Sequence, residues 1–173
     1  MKDGLIAVSS GKIFLAPFLL ITLFTNTAAL ADLQDGLAAY RNGIYSYALK
    51  EFRPLAANGN TEAQFQLGLM YDYGMGIVQD DRAAVEWYRK AAEQGYALAQ
   101  FNLGLIYAKN QGVPVDIVQA YVWFYMAAAG EYEAAKIYME EFEKVMSGEQ
   151  LTSARAQIRE MISRSRGIRN NPH

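Results

Sequence analysis

The sequence predicts an all-α solenoid built from helix-turn-helix repeats. Three observations predict it. The chain repeats itself at a spacing of 36 residues, each period carries two stretches with helical spacing of apolar residues, and aspartate and glycine stand where those stretches begin and end. The repeat is clearest where QFQLGLMY at 64–71 returns as QFNLGLIY at 100–107. It runs on through Gly76 and Gly112, Asp80 and Asp116, Ala84 and Ala120, Trp87 and Trp123, and Ala91-Ala92 and Ala127-Ala128. Matching of glycines, tryptophans and alanines over a whole period is a repeat architecture and not chance.

The elements follow in chain order. Residues 1–31 differ in kind from the rest: Lys2 and Lys12 precede the apolar run IFLAPFLLITLF, and Ala29-Leu30-Ala31 closes the stretch. This is the pattern of a secretory signal peptide with cleavage near Ala31, since a twelve-residue apolar run is shorter than the roughly 20 residues that span a bilayer. It places the protein in the periplasm or outside the cell. Residues 33–58 form an atypical first unit, because Glu51 stands where Trp87 and Trp123 stand and the connection before it is about five residues shorter.

Repeat one covers 61–95 and repeat two 97–130. Their first helices, 61–73 and 97–109, are apolar nearly all round, so they pack on both sides. Gly68 and Gly104 within them are expected to let a neighbouring helix come close, which offsets the roughly 1 kcal/mol that glycine costs in a helix interior. The second helix of repeat one, about Arg82 to Gln94, has Ala84, Trp87, Tyr88, Ala91 and Ala92 on one face. Asp80 and Asp116 are placed to cap the second helices, and Gly59 and Gly95 to end them. Residues 131–164 read as capping helices: Glu140 replaces the close-approach glycine, and Glu140, Glu141 and Glu143 form a solvated face. Ser147-Gly148-Glu149-Gln150 starts a last helix to about Arg164, and 165–173 is expected to be a flexible basic tail.

Composition excludes several chemistries. The 173 residues suit one domain, and there is no cysteine, hence no disulfide, thiolate metal site or cysteine nucleophile. The only histidine, His173, is the last residue, so neither a histidine triad nor a zinc cluster is expected. A net charge of −2 argues against nucleic acid as a partner. The charge is uneven: 32–151 holds 9 basic and 16 acidic groups, net −7, while 152–173 holds five arginines and one glutamate, net +4. Arginines near a helix C-terminus suit its dipole, and they also offer a contact to an anionic lipid or polysaccharide.

The pattern A-x-x-x-L-G-x-x-Y, a glycine turn, an aspartate, then A-x-x-W-Y-x-x-A-A-x-x-G is met by 63–95, and again by 99–128 with Asn110 in place of the first turn glycine. It resembles the Sel-1-like repeat (SLR) family, a branch of the tetratricopeptide-like helical solenoids. The resemblance covers about 32–163. It implies a right-handed α-solenoid of about two and a half repeats with C-terminal capping helices, which binds other proteins as an adaptor or regulator. A cysteine-rich secreted branch of the family is linked to β-lactam chemistry, and this chain has none of those cysteines.

In the first helix of each repeat the helical wheel leaves one open sector, holding Gln66 and Tyr73 in repeat one and Asn102 and Lys109 in repeat two. In stacked helix pairs such a sector lines the concave groove, where tyrosine, amide and ammonium groups can anchor an extended peptide. Trp87, Trp123, Tyr71 and Tyr107 are assigned to the core. The expected function is a non-enzymatic module of the bacterial envelope, without cofactor, acting as monomer or dimer on a protein partner through this groove. A cell-wall or β-lactam-directed protein, and a structural subunit of a secretion or polysaccharide-export complex, are the alternatives.

Overall fold

The structure is a computed structural model that describes residue 30 and residues 32–170, with side chains up to 164. The expected signal segment lies, apart from Leu30, outside the described residues, as does His173. The order is α1 (32–41), α2 (Tyr45–Ala57), α3 (Thr61–Tyr73), α4 (Asp81–Glu93), α5 (Ala97–Lys109), α6 (Ile117–Ala129), α7 (Glu133–Val145) and α8 (Gly148–Asn170). The described residues hold no strand. Each helix packs on the next, α2 on α3, α3 on α4 and so on to α7, while α8 folds back onto α6. The result is an all-α solenoid.

The pairs α3–α4 and α5–α6 are the two full repeats. Their helices are thirteen residues long, and seven residues, 74–80 and 110–116, join the members of each pair. In the first unit only 42–44 join α1 to α2. Register is therefore kept by a shift of 36 residues from α2 to α7, while between α1 and α3 the shift is 32.

The interior glycines are close-approach sites. A Cβ placed on Gly68 would lie 2.5 Å from the ring of Tyr88, and one on Gly104 would lie 2.5 Å from the ring of Phe124. Gly36 of α1 stands in the same way 2.6 Å from Phe52. Real carbon contacts do not come so near, so only glycine lets these rings seat against the facing helix. The three aromatics repeat at 36 residues and are fully buried. The tryptophans one position earlier are not the centre of the core. Trp123 is buried, whereas Trp87 is half-buried with the Lys90 ammonium 4.0 Å from its ring centroid. Tyr71 and Tyr107 are half-buried against the middle cluster.

Successive units are joined by a pair of buried glutamines. Gln64 Nε2 donates to the carbonyl of Ala56 at 3.0 Å, and Gln100 Nε2 to that of Ala92 at 2.9 Å. Each reaches the last turn of the preceding unit, whose carbonyls have no partner within their own helix. Gln94 Nε2 then donates to Gln64 Oε1 at 2.7 Å. Gly130 stands at the equivalent place one repeat on, and Gln100 Oε1 has no hydrogen-bond partner. The turns add to the joint: a Cβ on Gly76 would meet Tyr45, and one on Gly112 would meet the backbone of Asp81.

The helix ends follow the expected chemistry. Asp80 accepts from the backbone N–H groups of Arg82 and Ala83, and Asp116 from those of Val118 and Gln119. Ser147 and Gln150 cap α8 reciprocally, each side chain accepting from the other's N–H. Gly59 and Gly95 end their helices at φ 89° and 91°, and Asn110 takes the left-handed turn at φ 57°. At the third such turn the residue is Glu131, at φ 66°. A non-glycine residue there is strained, so Glu131→Gly should stabilise the protein by about 0.5–1 kcal/mol, seen as a raised urea midpoint at unchanged slope.

The C-terminal end departs from expectation in one respect. Helix α8 runs to Asn170, where the sequence placed an end near Arg164 and a flexible tail from 165. A lone glycine, Gly167, weakens a helix without ending it, and no proline comes before Pro172. Ala154 and Ile158 bury one face of α8 with Tyr121, Val122 and Met146. In α7 only Ala135 is buried. Of its four glutamates, all exposed, Glu143 accepts a hydrogen bond from Tyr121, whose hydroxyl is pushed up to about 12 by burial and by that carboxylate. No described helix is long and apolar enough to cross a membrane.

Candidate partner-binding groove

The register places the open sector of each first helix in two rows. One holds Gln34, Gln66, Asn102 and Tyr138, and the other holds Arg41, Tyr73, Lys109 and Val145. Gln66 and Asn102 are half-buried, Lys109 is exposed, and Tyr73 is 65% exposed although it is an aromatic at the end of a packed helix. The four residues expected from the sequence thus lie in equivalent places on α3 and α5. The structure adds the outer units, where the surface changes character. It begins with an amide and a guanidinium and ends with exposed Tyr138 and Val145, Tyr138 stacking 4.9 Å from Phe124.

The central part of this surface has a polar focus. The Tyr88 hydroxyl comes up from α4 and donates to Asp72 Oδ2 at 3.0 Å, and the Asn102 amide is close enough to the same hydroxyl to act on it. Gln111, in the turn after α5, donates to Asp72 Oδ1 at 2.6 Å. Tyr73 is close enough to Tyr88 and to Tyr40 to act on both electrostatically. Burial, reinforced by the charges of Asp72, raises the Tyr88 phenol far above its ordinary range, so it stays a neutral donor. The Asp72 carboxyl is also raised, first by burial and then by the charge of Asp81, against the hydrogen bond from Tyr88. Gln66 keeps a buried Oε1 without a hydrogen-bond partner.

Of the four expected residues, Asn102 belongs to this focus, Tyr73 borders it, and Lys109 is in none of the ion pairs among the described residues. Sequence reasoning missed Asp72, Tyr88 and Gln111. The signal for them was their departure from the repeat, since the matching positions elsewhere hold Ala108, Phe52 and Phe124, and Met75. The junction one unit earlier shows the same register with other chemistry: Tyr40 Oη donates to Met75 Sδ at 3.1 Å.

Among the described residues no three or more His, Cys, Asp or Glu are placed to hold a metal ion. Two open depressions lie elsewhere, one lined by Asp35, Ala38 and Tyr47 and the other by Tyr125, Lys136 and Met139.

Comparison with known proteins gives a consistent picture. Residues 61–96 and 97–132 each match the Sel1 repeat model. The fold is similar to the crystal structure of a protective antigen of uropathogenic Escherichia coli that displays an SLR fold, with a TM-score of 0.74 and 33% identity over 86% of this chain. It is also similar to a Sel1 repeat protein from Oxalobacter formigenes, with a TM-score of 0.60 and 37% identity over 62% of this chain. The chain spans 33% of the first of these and 44% of the second. No curated protein matches it in sequence.

Proposed function

We propose, from the premise that the chain carries two Sel1 repeats in an SLR-type solenoid, that it is a non-enzymatic module which holds or regulates a protein partner in the bacterial envelope. Sel1 repeat proteins are in general protein–protein interaction modules. The observation that carries the proposal for this chain is the exposed Tyr73 beside the half-buried Gln66 and Asn102, on helices whose other faces are taken up by packing. A large aromatic next to amides with unspent hydrogen-bonding capacity is the composition of a binding hot spot. The signal-peptide pattern ending at Ala29-Leu30-Ala31 supports the envelope location.

The test is cross-linked capture from native envelope extract, with the chain from Asp32 onward as bait beside a variant carrying alanine at Gln66, Tyr73, Asn102 and Lys109. A protein held by the parent and lost by an equally stable variant, then shown with purified components to bind the variant at least about tenfold more weakly, is the expected result. Equal recovery by both baits refutes the groove.

A further inference from the structure

Asp72 is the one carboxylate at the polar focus, and its surroundings are incomplete. It is half-buried and receives two hydrogen bonds, both from neutral groups, Tyr88 and Gln111. None of the ion pairs among the described residues involves it. The charge that acts on it is that of another carboxylate, Asp81 at the start of α4. A carboxylate taken partly out of water without a counter-charge is held at a cost, and a cation brought beside it recovers that cost. Two neighbouring features fit such a cation. The exposed ring of Tyr73 stands at the rim, where an aromatic face attracts a guanidinium or ammonium. The body of the solenoid from 32 to 151 is acidic, net −7, which favours the approach of a basic partner.

We propose that Asp72, with Tyr73 as its aromatic rim and Asn102, Tyr88 and Gln111 as its frame, is the pocket for an arginine or lysine side chain of the partner polypeptide. The inference rests on the groove reading and gives it a chemistry: one basic side chain anchors the extended segment at the junction of the two repeats. The frame keeps the carboxylate oriented, because Tyr88 and Gln111 each hold one of its oxygens. Arginine suits the site better than lysine, since a planar guanidinium can meet the carboxylate and lie over the tyrosine ring together.

The test uses acetyl-Gly-Arg-Gly-amide and its citrulline twin, which has the same shape without the charge. The Asp72 carboxyl of carbon-13-labelled protein is titrated with pH in the presence of each. The arginine peptide should lower the Asp72 pKa by about one unit and shift the amide signals of Tyr73 and Asn102, and the citrulline peptide should do neither. An unchanged Asp72 titration, or an equal effect of both peptides, overturns the proposal without any variant having to fold. The captured partner separates this proposal from the groove itself. If Asp72→Asn keeps the partner while the four-alanine variant loses it, the groove stands and the cation pocket is refuted. If Asp72→Asn also weakens binding about tenfold, and replacing one basic residue of the partner does the same with no added effect in the double variant, the pocket is confirmed.

Discussion

Gly68→Leu should destabilise the protein by about 3 kcal/mol, at the upper end of what overpacking costs. Even the first carbon of the new side chain would stand 2.5 Å from the Tyr88 ring, which is fully buried and tied by its hydroxyl to Asp72. The ring cannot move without giving up that bond, and the helix cannot move without leaving the glutamine joint at Gln64. The intrinsic preference of a helix for leucine over glycine works the other way by less than about 1 kcal/mol, so the clash decides the sign. Urea unfolding followed by circular dichroism measures it. A Tyr88→Leu background, where the ring is gone, should recover part of the loss, and additive effects of the two changes would remove close approach as the cause.

Phe124→Ala should cost about 3–5 kcal/mol, a large part of the roughly 5–15 kcal/mol by which a domain of this kind is stable. Phe124 is fully buried and lies within 6 Å of the rings of Phe101, Tyr138 and Phe142, at 5.7, 4.9 and 5.5 Å between centroids. Removing it empties the joint of α5, α6 and α7 at once. Trp87→Ala, at a half-buried position, serves as the comparison and should cost clearly less. If the two lower the urea midpoint equally, the ranking of the core by burial is wrong.

The fold was legible because its determinants are periodic. Glycine at the close approach, aspartate at the cap and the apolar face of each second helix recur at one spacing, so each copy supports the reading of the other. The site was only partly legible because it depends on what breaks the period. Gln66, Tyr73, Asn102 and Lys109 could be placed from helical geometry alone, since a wheel shows which sector has no neighbour. Asp72 could not, because its partners come from a second helix and from the turn of the following repeat. The rank order of the aromatics was also hidden. Trp87 and Tyr88 are adjacent on one apolar face, and only the glycine opposite Tyr88 decides which of them goes to the centre. The end of α8 was misplaced because basic and polar residues around a single glycine resemble a tail as much as they resemble a solvated helix.

The buried glutamines have a consequence for how the molecule comes apart. They bind the first unit to repeat one and repeat one to repeat two, but the residue in register at the next junction is Lys136, which turns outward to Glu133. The glycine seat is missing there as well, with Glu140 in its place. The stack therefore has a grain. Three units are coupled by the same device into one cooperative block, and α7 with α8 is fastened to its end by apolar contact, the Tyr121 bond to Glu143 and the Gln119 bond to Gln157. Under tension from the C-terminus this pair would peel away first, while the segment that carries Gln66, Asp72, Tyr73 and Asn102 stayed folded. Loss of the end would shorten the surface without loosening its centre.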